Sequence, residues 1–122
     1  MPQSAINWFE IPVTNMERAI RFYNSIFAIQ LEQMEAMGGT TAFFPYETEG
    51  VGGSLTAGEG YVPSQTGAVI YLNGGQNLST VLERVAPAGG QVLLSKTNIG
   101  GNGYIAFFLD TEGNKIGLHS GG

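Results

Sequence analysis

The sequence predicts an α+β fold in which the whole chain, 1–122, is one domain made of two βαβββ modules, about residues 1–60 and 66–122. First, one helical pattern and four strand patterns follow each other in the same order twice. Second, two tripeptides recur about 63 to 64 residues later: Ala42-Phe43-Phe44 as Ala106-Phe107-Phe108, and Thr48-Glu49-Gly50 as Thr111-Glu112-Gly113. Third, Gly58 to Gln65 is rich in glycine, proline and serine, and we interpret it as a linker.

Composition supports a globular domain and excludes several classes of function. The 122 residues are 43% hydrophobic and 12% charged, which is enough for a core and too apolar for a disordered chain. The formal net charge of −5 and the lack of a run of Lys or Arg argue against nucleic-acid binding, which needs a positive patch. Because there is no cysteine, a disulfide framework, a thiol nucleophile and a thiolate metal site are excluded.

The N-terminus and the length of the apolar runs predict the cellular location of the protein. Met1 to Ser4 shows no charged segment followed by an apolar one, so we expect no secretory signal. No apolar run approaches the roughly 20 residues that cross a bilayer. We therefore expect a cytoplasmic protein with no membrane partner.

The first strand, about residues 5–13, carries an unexpected carboxylate. Its side chains alternate between two faces, one with Phe9, Ile11 and Val13 and the other with Trp8, Glu10 and Pro12. Burying an unpaired charge is costly, so Glu10 must face either solvent or a pocket.

A helix follows this strand and completes the start of the first module. Thr14 and Glu17 have the spacing of a capping box, and apolar residues at helical intervals continue to about Ala28. The remaining strands of this module are expected at 29–35, 40–46 and 52–57.

The second module repeats the order. Its first strand, 67–73, includes Tyr71, which we expect to fill the core. Asn77 is expected to cap a helix that stops at Pro87. The last three strands are expected at 91–95, 104–109 and 115–119.

Two segments resemble a known family. Pro12 to Tyr23, with the sequence Pro-Val-Thr-Asn-Met-Glu-Arg-Ala-Ile-Arg-Phe-Tyr, and Asp110 to His119, with Asp-Thr-Glu-Gly-Asn-Lys-Ile-Gly-Leu-His, look like segments of the vicinal oxygen chelate superfamily. That superfamily includes glyoxalase I, bleomycin-resistance proteins and extradiol dioxygenases, and the resemblance covers nearly the whole chain. It implies a curved mixed-sheet cup with helices on the outer face. It also implies pairing of modules within one chain or across a homodimer, and we expect a homodimer because sheet edges need cover.

In the metal-dependent members, the resemblance implies four inward-facing ligands, usually His and Glu, on the first and last strands of each module. The matching positions here are Trp8, Ser54, Ala68 and Gly117. These residues are not a competent ligand set for a divalent ion, since Ala and Gly have no side-chain donor atom and Trp offers only a ring N–H. We therefore predict no cofactor and no glyoxalase I-type metal site.

Glu10 and His119 each lie two residues beyond a lost ligand position, on the face that the resemblance turns towards the cup. We predict a catalytic pair in which Glu10 orients His119, and His119 acts as general base or hydrogen-bond donor. Two alternatives stay open. The residues form an ordinary ion pair at the sheet rim, or they bind a displaced divalent metal with further ligands such as Glu59 or a partner chain.

Five residues are predicted to bind a ligand. Trp8 is expected to form a wall that stacks on a flat or apolar molecule. Each adjacent phenylalanine pair puts one ring on each sheet face, and we assign Phe44 and Phe108 to the cup. Ser54 follows two glycines that permit close approach of a ligand. Lys96 begins a glycine-rich loop that is either a hairpin rim or a mobile lid whose lysine contacts an anion.

Two classes of function follow. The first is a protein of the bleomycin-resistance type that binds a small, partly apolar molecule in the cup, without the usual four-ligand metal site. The alternative is a glyoxalase- or dioxygenase-like enzyme, a lyase or a dioxygenase, that uses Glu10 and His119 with or without a displaced divalent metal. The missing metal ligands and the position of Trp8 favour the first class.

Overall fold

The computed structural model describes residues 4–36 and 38–122. The elements are, in order, β1 (Trp8–Pro12), α1 (Met16–Phe27), β2 (Glu32–Ala36), β3 (Gly39–Phe43), β4 (Gly52–Ala57), β5 (Tyr71–Asn73), α2 (Ser79–Val85), β6 (Gln91–Asn98), a 3₁₀ turn (Gly100–Asn102), β7 (Tyr104–Leu109) and β8 (Lys115–Ser120). The βαβββ order occurs twice, as the sequence predicts. Within the described residues, neither helix is long and apolar enough to span a membrane.

Each module forms its own four-stranded mixed sheet. Sheet A has the strand order β1-β4-β3-β2, and sheet B has the order β5-β8-β7-β6. In both sheets the first strand of the module pairs in parallel with the last, and the other neighbours are antiparallel. The α+β fold with a curved sheet is therefore confirmed.

One face of each sheet packs against the helices. Residues in register across neighbouring strands share a face. The helix-side rows are buried: Ile11, Leu55 and Ala42 in sheet A, and Leu72, Leu118 and Ala106 in sheet B. These rows form the floor of the hydrophobic core.

The opposite face of each sheet is called here the open face, because neither α-helix of the described ranges packs on it. Its central row in sheet A consists of Glu10, Ser54, Phe43 and Glu32. The matching row in sheet B consists of Tyr71, Gly117, Phe107 and Leu94. The two rows occupy the same place in the repeat and share a phenylalanine. The row of sheet A has two carboxylates, whereas the row of sheet B has no charged residue.

Helix α1 packs against both sheets. Its buried residues recur at helical spacing: Met16, Ala19, Phe22, Tyr23 and Ile26. The Phe22 ring centroid lies 5.8 Å from that of Phe108 in sheet B, and the Tyr23 ring centroid lies 5.6 Å from that of Phe44 in sheet A. Since one helix contacts both sheets, the two modules share one core.

The start of α1 is capped differently from the prediction. Asn15 is the N-cap, and its Oδ1 accepts a hydrogen bond from the Arg18 backbone N–H at 3.0 Å. The backbone N–H groups of Thr14 and Asn15 donate to Glu112 at 2.9 and 2.7 Å. The expected capping box of Thr14 and Glu17 is therefore wrong, because a carboxylate from the second module binds these donors.

Several element boundaries also differ. Strand β5 covers Tyr71–Asn73 rather than 67–73, and β6 continues to Asn98 rather than ending at 95. Helix α1 ends at Phe27, close to the predicted end. Helix α2 begins at Ser79, and its N-cap is Leu78 rather than the expected Asn77; Asn77 Oδ1 still accepts a hydrogen bond from the Ser79 backbone N–H at 3.0 Å.

Candidate functional site

Three aromatic rings lie in contact on the open face of sheet A. The Trp8 ring centroid is 6.0 Å from that of Phe43 and 6.0 Å from that of Tyr46, both in edge-on arrangements. Trp8 is 39% exposed and Tyr46 is 56% exposed. A Cβ atom at Gly52 would lie 2.5 Å from the Tyr46 ring and 2.7 Å from the Trp8 ring. The aromatic cluster therefore depends on glycine at position 52.

A groove of about 620 Å³ opens beside this aromatic cluster. Gln30 and Glu32 line it together with the three rings. Glu32 is the cross-strand neighbour of Phe43, so its carboxylate and the Phe43 ring share the open face. The groove can accept a flat or apolar group against the rings, and it presents a carboxylate beside them.

Glu10 lies on the same open face, in register with Ser54. Its exposed carboxylate accepts a hydrogen bond from the Tyr61 hydroxyl at 3.2 Å. The negative charge of Glu10, and then this hydrogen bond, raise the pKa of Tyr61, because both favour the protonated phenol. Ser54 is buried, and its Oγ lies 3.1 Å from Thr56 Oγ1.

The open face of sheet B is covered by its own side chains. Tyr71 lies over Gly117, where an added Cβ would be 2.5 Å from the tyrosine ring. The Tyr71 and Phe107 ring centroids are 5.8 Å apart, and the Lys115 ammonium stands 4.5 Å from the Phe107 centroid. Tyr71 is 47% exposed, so the prediction that it fills the core is wrong; its neighbour Leu72 is buried instead.

His119 is held by the loop that precedes β7. Its Nε2 donates a hydrogen bond to the backbone carbonyl of Asn102. Because a carbonyl can only accept, this geometry requires a proton on Nε2. That nitrogen is therefore engaged and cannot serve as a free base or metal ligand in this arrangement.

The predicted approach of Glu10 to His119 is not present. Glu10 belongs to sheet A and contacts Tyr61, whereas His119 belongs to sheet B and contacts Asn102. In the part of the chain that the structure describes, the one ion pair joins Arg18 to Glu112. The two residues of the expected pair therefore bind separate partners in separate modules. The alternative ion pair between Glu10 and His119 is not formed either.

Phe44 and Phe108 lie on the helix side of their sheets. Phe108 is fully buried, and the Phe44 ring centroid is 5.5 Å from that of Phe9, although Phe44 also borders the groove of sheet A. The two pairs are thus oriented opposite to the prediction, and Phe43 and Phe107 face the open side. Two adjacent apolar residues do not reveal in a sequence which of them faces the core; in the structure the buried alanine before each pair shares its face with the second phenylalanine.

Lys96 does not belong to a lid. It lies in β6, and its ammonium donates to Asn77 Oδ1 at 3.0 Å and stands 4.4 Å from the Tyr104 ring centroid. Both partners are on the helix side of sheet B or at the start of α2. The predicted contact of Lys96 with an anion over the open face is therefore not supported by its position.

The residues at the four family metal positions do not fit a metal ion. Gly117 is covered by the Tyr71 ring, and Ala68 lies outside β5 and offers no donor atom. Among the residues described, no group of three or more His, Cys, Asp or Glu side chains is placed to hold an ion.

A buried polar cluster joins the two modules behind the open faces. Asp110 Oδ2 accepts hydrogen bonds from the Tyr23 hydroxyl at 2.7 Å and from Asn114 Nδ2 at 3.0 Å. Asn114 Nδ2 also donates to the backbone carbonyl of Pro12 at 2.7 Å. Burial, and then the charge of Asp110, raise the pKa of Tyr23 well above its ordinary value. This cluster fixes the end of β1 relative to sheet B.

Glu112 extends the same junction to the start of α1. Its carboxylate receives Arg18 Nε at 2.7 Å and Nη2 at 3.1 Å, a two-point contact. Burial alone raises the pKa of Glu112, but hydrogen bonds from Arg18, Asn15, Thr111 and Thr14 outweigh it, so the pKa is below its ordinary value. The segment 110–114, which carries part of the family resemblance, thus acts as the connection between modules.

A larger groove, about 1170 Å³, lies on the outer side of the molecule. It is lined by one side of α1, including Arg18 and Arg21, and by Ala88 and Gly89 after α2. The Arg18 guanidinium is already bound by Glu112. We place the candidate site on sheet A instead, because three contacting rings and a carboxylate converge there.

Comparisons with known proteins agree with this architecture. The chain is 31% identical over 115 residues to a glyoxylase-like domain-containing protein of Didymella fabae, covering 89% of this chain and 88% of that protein. It is 25% identical over 122 residues to "Putative glyoxylase CFP32" of Mycobacterium tuberculosis, covering 95% of this chain and 45% of that protein. The chain therefore spans less than half the length of that relative.

Two solved structures show the same fold. Glyoxalase I from Zea mays superimposes with a TM-score of 0.66 at 23% identity, covering 91% of this chain and 42% of that one. The fosfomycin resistance protein FosX from Listeria monocytogenes gives a TM-score of 0.68 at 19% identity, covering 98% and 92%. A family model matches residues 5–118. The paired modules and this match show that the chain belongs to the Glyoxalase/Bleomycin resistance protein/Dioxygenase superfamily.

Proposed function

We propose that this protein binds a small, partly apolar molecule on the open face of sheet A, without the usual four-ligand metal site. The observation that carries the proposal is the contacting cluster of Trp8, Phe43 and Tyr46 beside a groove of about 620 Å³. Exposed rings grouped in this way leave apolar surface that a ligand can cover. The donor-poor residues at the family metal positions support binding that does not depend on a metal.

The enzyme alternative receives less support from the geometry. It requires Glu10 and His119 to act together, but their partners are Tyr61 and Asn102 respectively. Catalysis by this pair would need a rearrangement of both modules or a second chain. We therefore keep binding as the first proposal.

A neutral aromatic dye tests the binding proposal. N-phenyl-1-naphthylamine fluoresces when it leaves water, so its titration reports an apolar site directly. We expect Phe43→Leu to weaken dye binding about 3- to 10-fold, because one ring of the cluster is lost. The matched control is Phe107→Leu, at the same place in the repeat, which should stay within about twofold of the wild type.

The same titration addresses the metal. Dye affinity should be unchanged after treatment with a chelator and after addition of Mg²⁺, Mn²⁺ or Zn²⁺. Equal losses in the two phenylalanine variants would remove the site from sheet A. Binding that requires an added divalent ion would overturn the metal-independent part of the proposal.

We also propose that the protein forms a homodimer. Strand β6 is an edge strand, and it carries Val92 and Leu93, which are 36% and 42% exposed. Exposed apolar residues on an edge favour pairing with another chain. Light scattering on a sizing column should give twice the chain mass of 12.9 kDa; a mass of one chain would refute the dimer.

A further inference from the structure

We propose that the groove of sheet A binds an organic cation, such as a quaternary ammonium head group, between its aromatic rings and Glu32. The inference rests on the proposed function, because it names the class of molecule that the same face takes. Its experiment is chosen so that the two proposals can fail separately.

The first support is the lining of the groove. Trp8, Phe43 and Tyr46 present rings, and Glu32 presents a carboxylate. Glu10 ends the same cross-strand row, so a second carboxylate lies on this open face. Neither Lys nor Arg is among the residues that line the groove. A cation placed there meets aromatic rings and negative charge, with no positive side chain of the lining to oppose it.

The second support comes from the sister module, where the same position already holds a cation. Lys115 lies two residues before Gly117, the cross-strand neighbour of Phe107, and its ammonium stands 4.5 Å from the Phe107 centroid. In sheet A, the residue two before Ser54, the cross-strand neighbour of Phe43, is Gly52. The repeat therefore replaces a lysine by a glycine at this point.

This replacement leaves Phe43 without an ammonium of its own. Among the described residues, cation–ring contacts occur at Tyr104 and Phe107, both in the second module. A cation within about 6 Å of a ring centroid is attracted by the ring's quadrupole. An external cation beside Phe43 would thus make the contact that Lys115 makes in sheet B.

The chemistry favours a soft, weakly hydrated cation. A quaternary ammonium loses little hydration when it enters an aromatic site, whereas a primary ammonium is strongly hydrated. Its methyl groups would also cover apolar surface of Trp8 and Tyr46. The net charge of −5 adds a general attraction for cations.

The experiment compares choline with its neutral carbon isostere, 3,3-dimethylbutan-1-ol. The chain contains one tryptophan, so intrinsic fluorescence excited at the indole reports Trp8 alone. Titrations are run at constant ionic strength, with sodium chloride balancing choline chloride. We expect choline to change Trp8 emission with saturation and to bind about tenfold more tightly than the alcohol.

A charge-neutral variant separates the carboxylate from the rings. Glu32→Gln should weaken choline binding about three- to fivefold and leave binding of the alcohol unchanged. Glu83→Gln is the matched control, because Glu83 is an exposed glutamate on α2, away from the groove. Its choline affinity should equal that of the wild type.

Equal affinity for choline and the alcohol would overturn the inference while leaving the apolar binding proposal in place. No response of Trp8 to choline would also overturn it, and the naphthylamine titration then decides the apolar proposal independently. An equal loss in Glu32→Gln and Glu83→Gln would show a general charge effect and would count against a site at Glu32.

Discussion

The open faces of sheets A and B occupy equivalent places in a duplicated module, yet they carry different charged side chains. In sheet B, Tyr71 covers Gly117 and Lys115 stands over Phe107. In sheet A, the residue opposite Ser54 is Glu10 rather than a tyrosine, and Gly52 replaces the lysine. The proposal that a ligand binds sheet A rests on this difference: the place of the Lys115 ammonium is empty of a lysine there, and a carboxylate lies in the row instead.

The same difference bears on the proposal that binding does not use the family metal site. A metal would need donor atoms on both faces, but the position on sheet B is glycine beneath an aromatic ring. On sheet A, the position at Trp8 belongs to a ring cluster. Of the four family positions, Trp8 carries a ring, Gly117 lies beneath one and Ala68 has no donor atom, which supports the proposal of binding without the usual four-ligand metal site.

The largest expected effect is a loss of stability when the buried polar cluster around Asp110, which joins the two modules, is disrupted. Asp110→Ala leaves the buried Tyr23 hydroxyl without its acceptor and removes one of the two acceptors of the Asn114 amide. We expect the free energy of unfolding to fall by about 3 kcal/mol or more. Tyr23→Phe removes one donor and leaves Asp110 its other partners, so it should cost about 1 kcal/mol. Urea unfolding measures both; a loss in Asp110→Ala no larger than in Tyr23→Phe would contradict the role of the junction.

Substitution of Gly52 and of Gly117 tests whether the two open faces are independent. Gly52→Ala places a Cβ against the Trp8 and Tyr46 rings, and Gly117→Ala places one against Tyr71. Each should cost about 1 to 3 kcal/mol in urea unfolding, because a ring must move. Trp8 emission and dye binding should change in Gly52→Ala only. A change of Trp8 emission in Gly117→Ala would show that the faces are not independent.

Lowering the pH should reduce the free energy of unfolding, because protonation of Glu112 weakens its hydrogen bonds at the junction of the modules. Its pKa is lowered in the folded chain, so its contribution is complete above the unfolded value near 4.5 and is lost as the pH falls through the folded value. We expect wild type to exceed Glu112→Gln in stability by about 1 kcal/mol at pH 7, with the gap closing below pH 4.5. Urea unfolding at several pH values measures this gap. A gap that is constant with pH would contradict the pKa shift.

The smallest expected effect comes from removing the cation–ring contact of sheet B. Lys115→Met removes the ammonium from Phe107 at a cost of about 1 kcal/mol or less, since such exposed contacts are weak. It should leave Trp8 emission and choline binding at sheet A unchanged. Thermal unfolding and the choline titration check this. Tighter choline binding in Lys115→Met would mean that choline binds beside Phe107 on sheet B.

The sequence predicts the fold well because its evidence is repeated and periodic. Alternation over β1, the helical stripe of α1 and the recurring tripeptides each determine an element or its partner in the repeat. The face of each phenylalanine pair was not determined, because Phe43 and Phe44 are equally apolar and their parity depends on pairing with β4. Sequence patterns identify which residues are apolar more readily than which face each occupies.

The site was predictable only in part for a related reason. Trp8 and Glu10 were placed on the open face by alternation within one strand. The expected meeting of Glu10 with His119 required the relative position of two sheets, which no local pattern contains. The role of Glu112 was missed because its partners, Thr14, Asn15 and Arg18, lie 94 to 98 residues away in the sequence.

The central claim is that ligands bind the open face of sheet A and not that of sheet B. A residue-resolved ¹H–¹⁵N spectrum, recorded while choline or N-phenyl-1-naphthylamine is added, tests it most directly. We expect shifts at the Trp8 indole N–H and at the backbone N–H groups of Gly52 and Ser54. Shifts centred on Gly117 and His119, with the Trp8 indole unmoved, would contradict it.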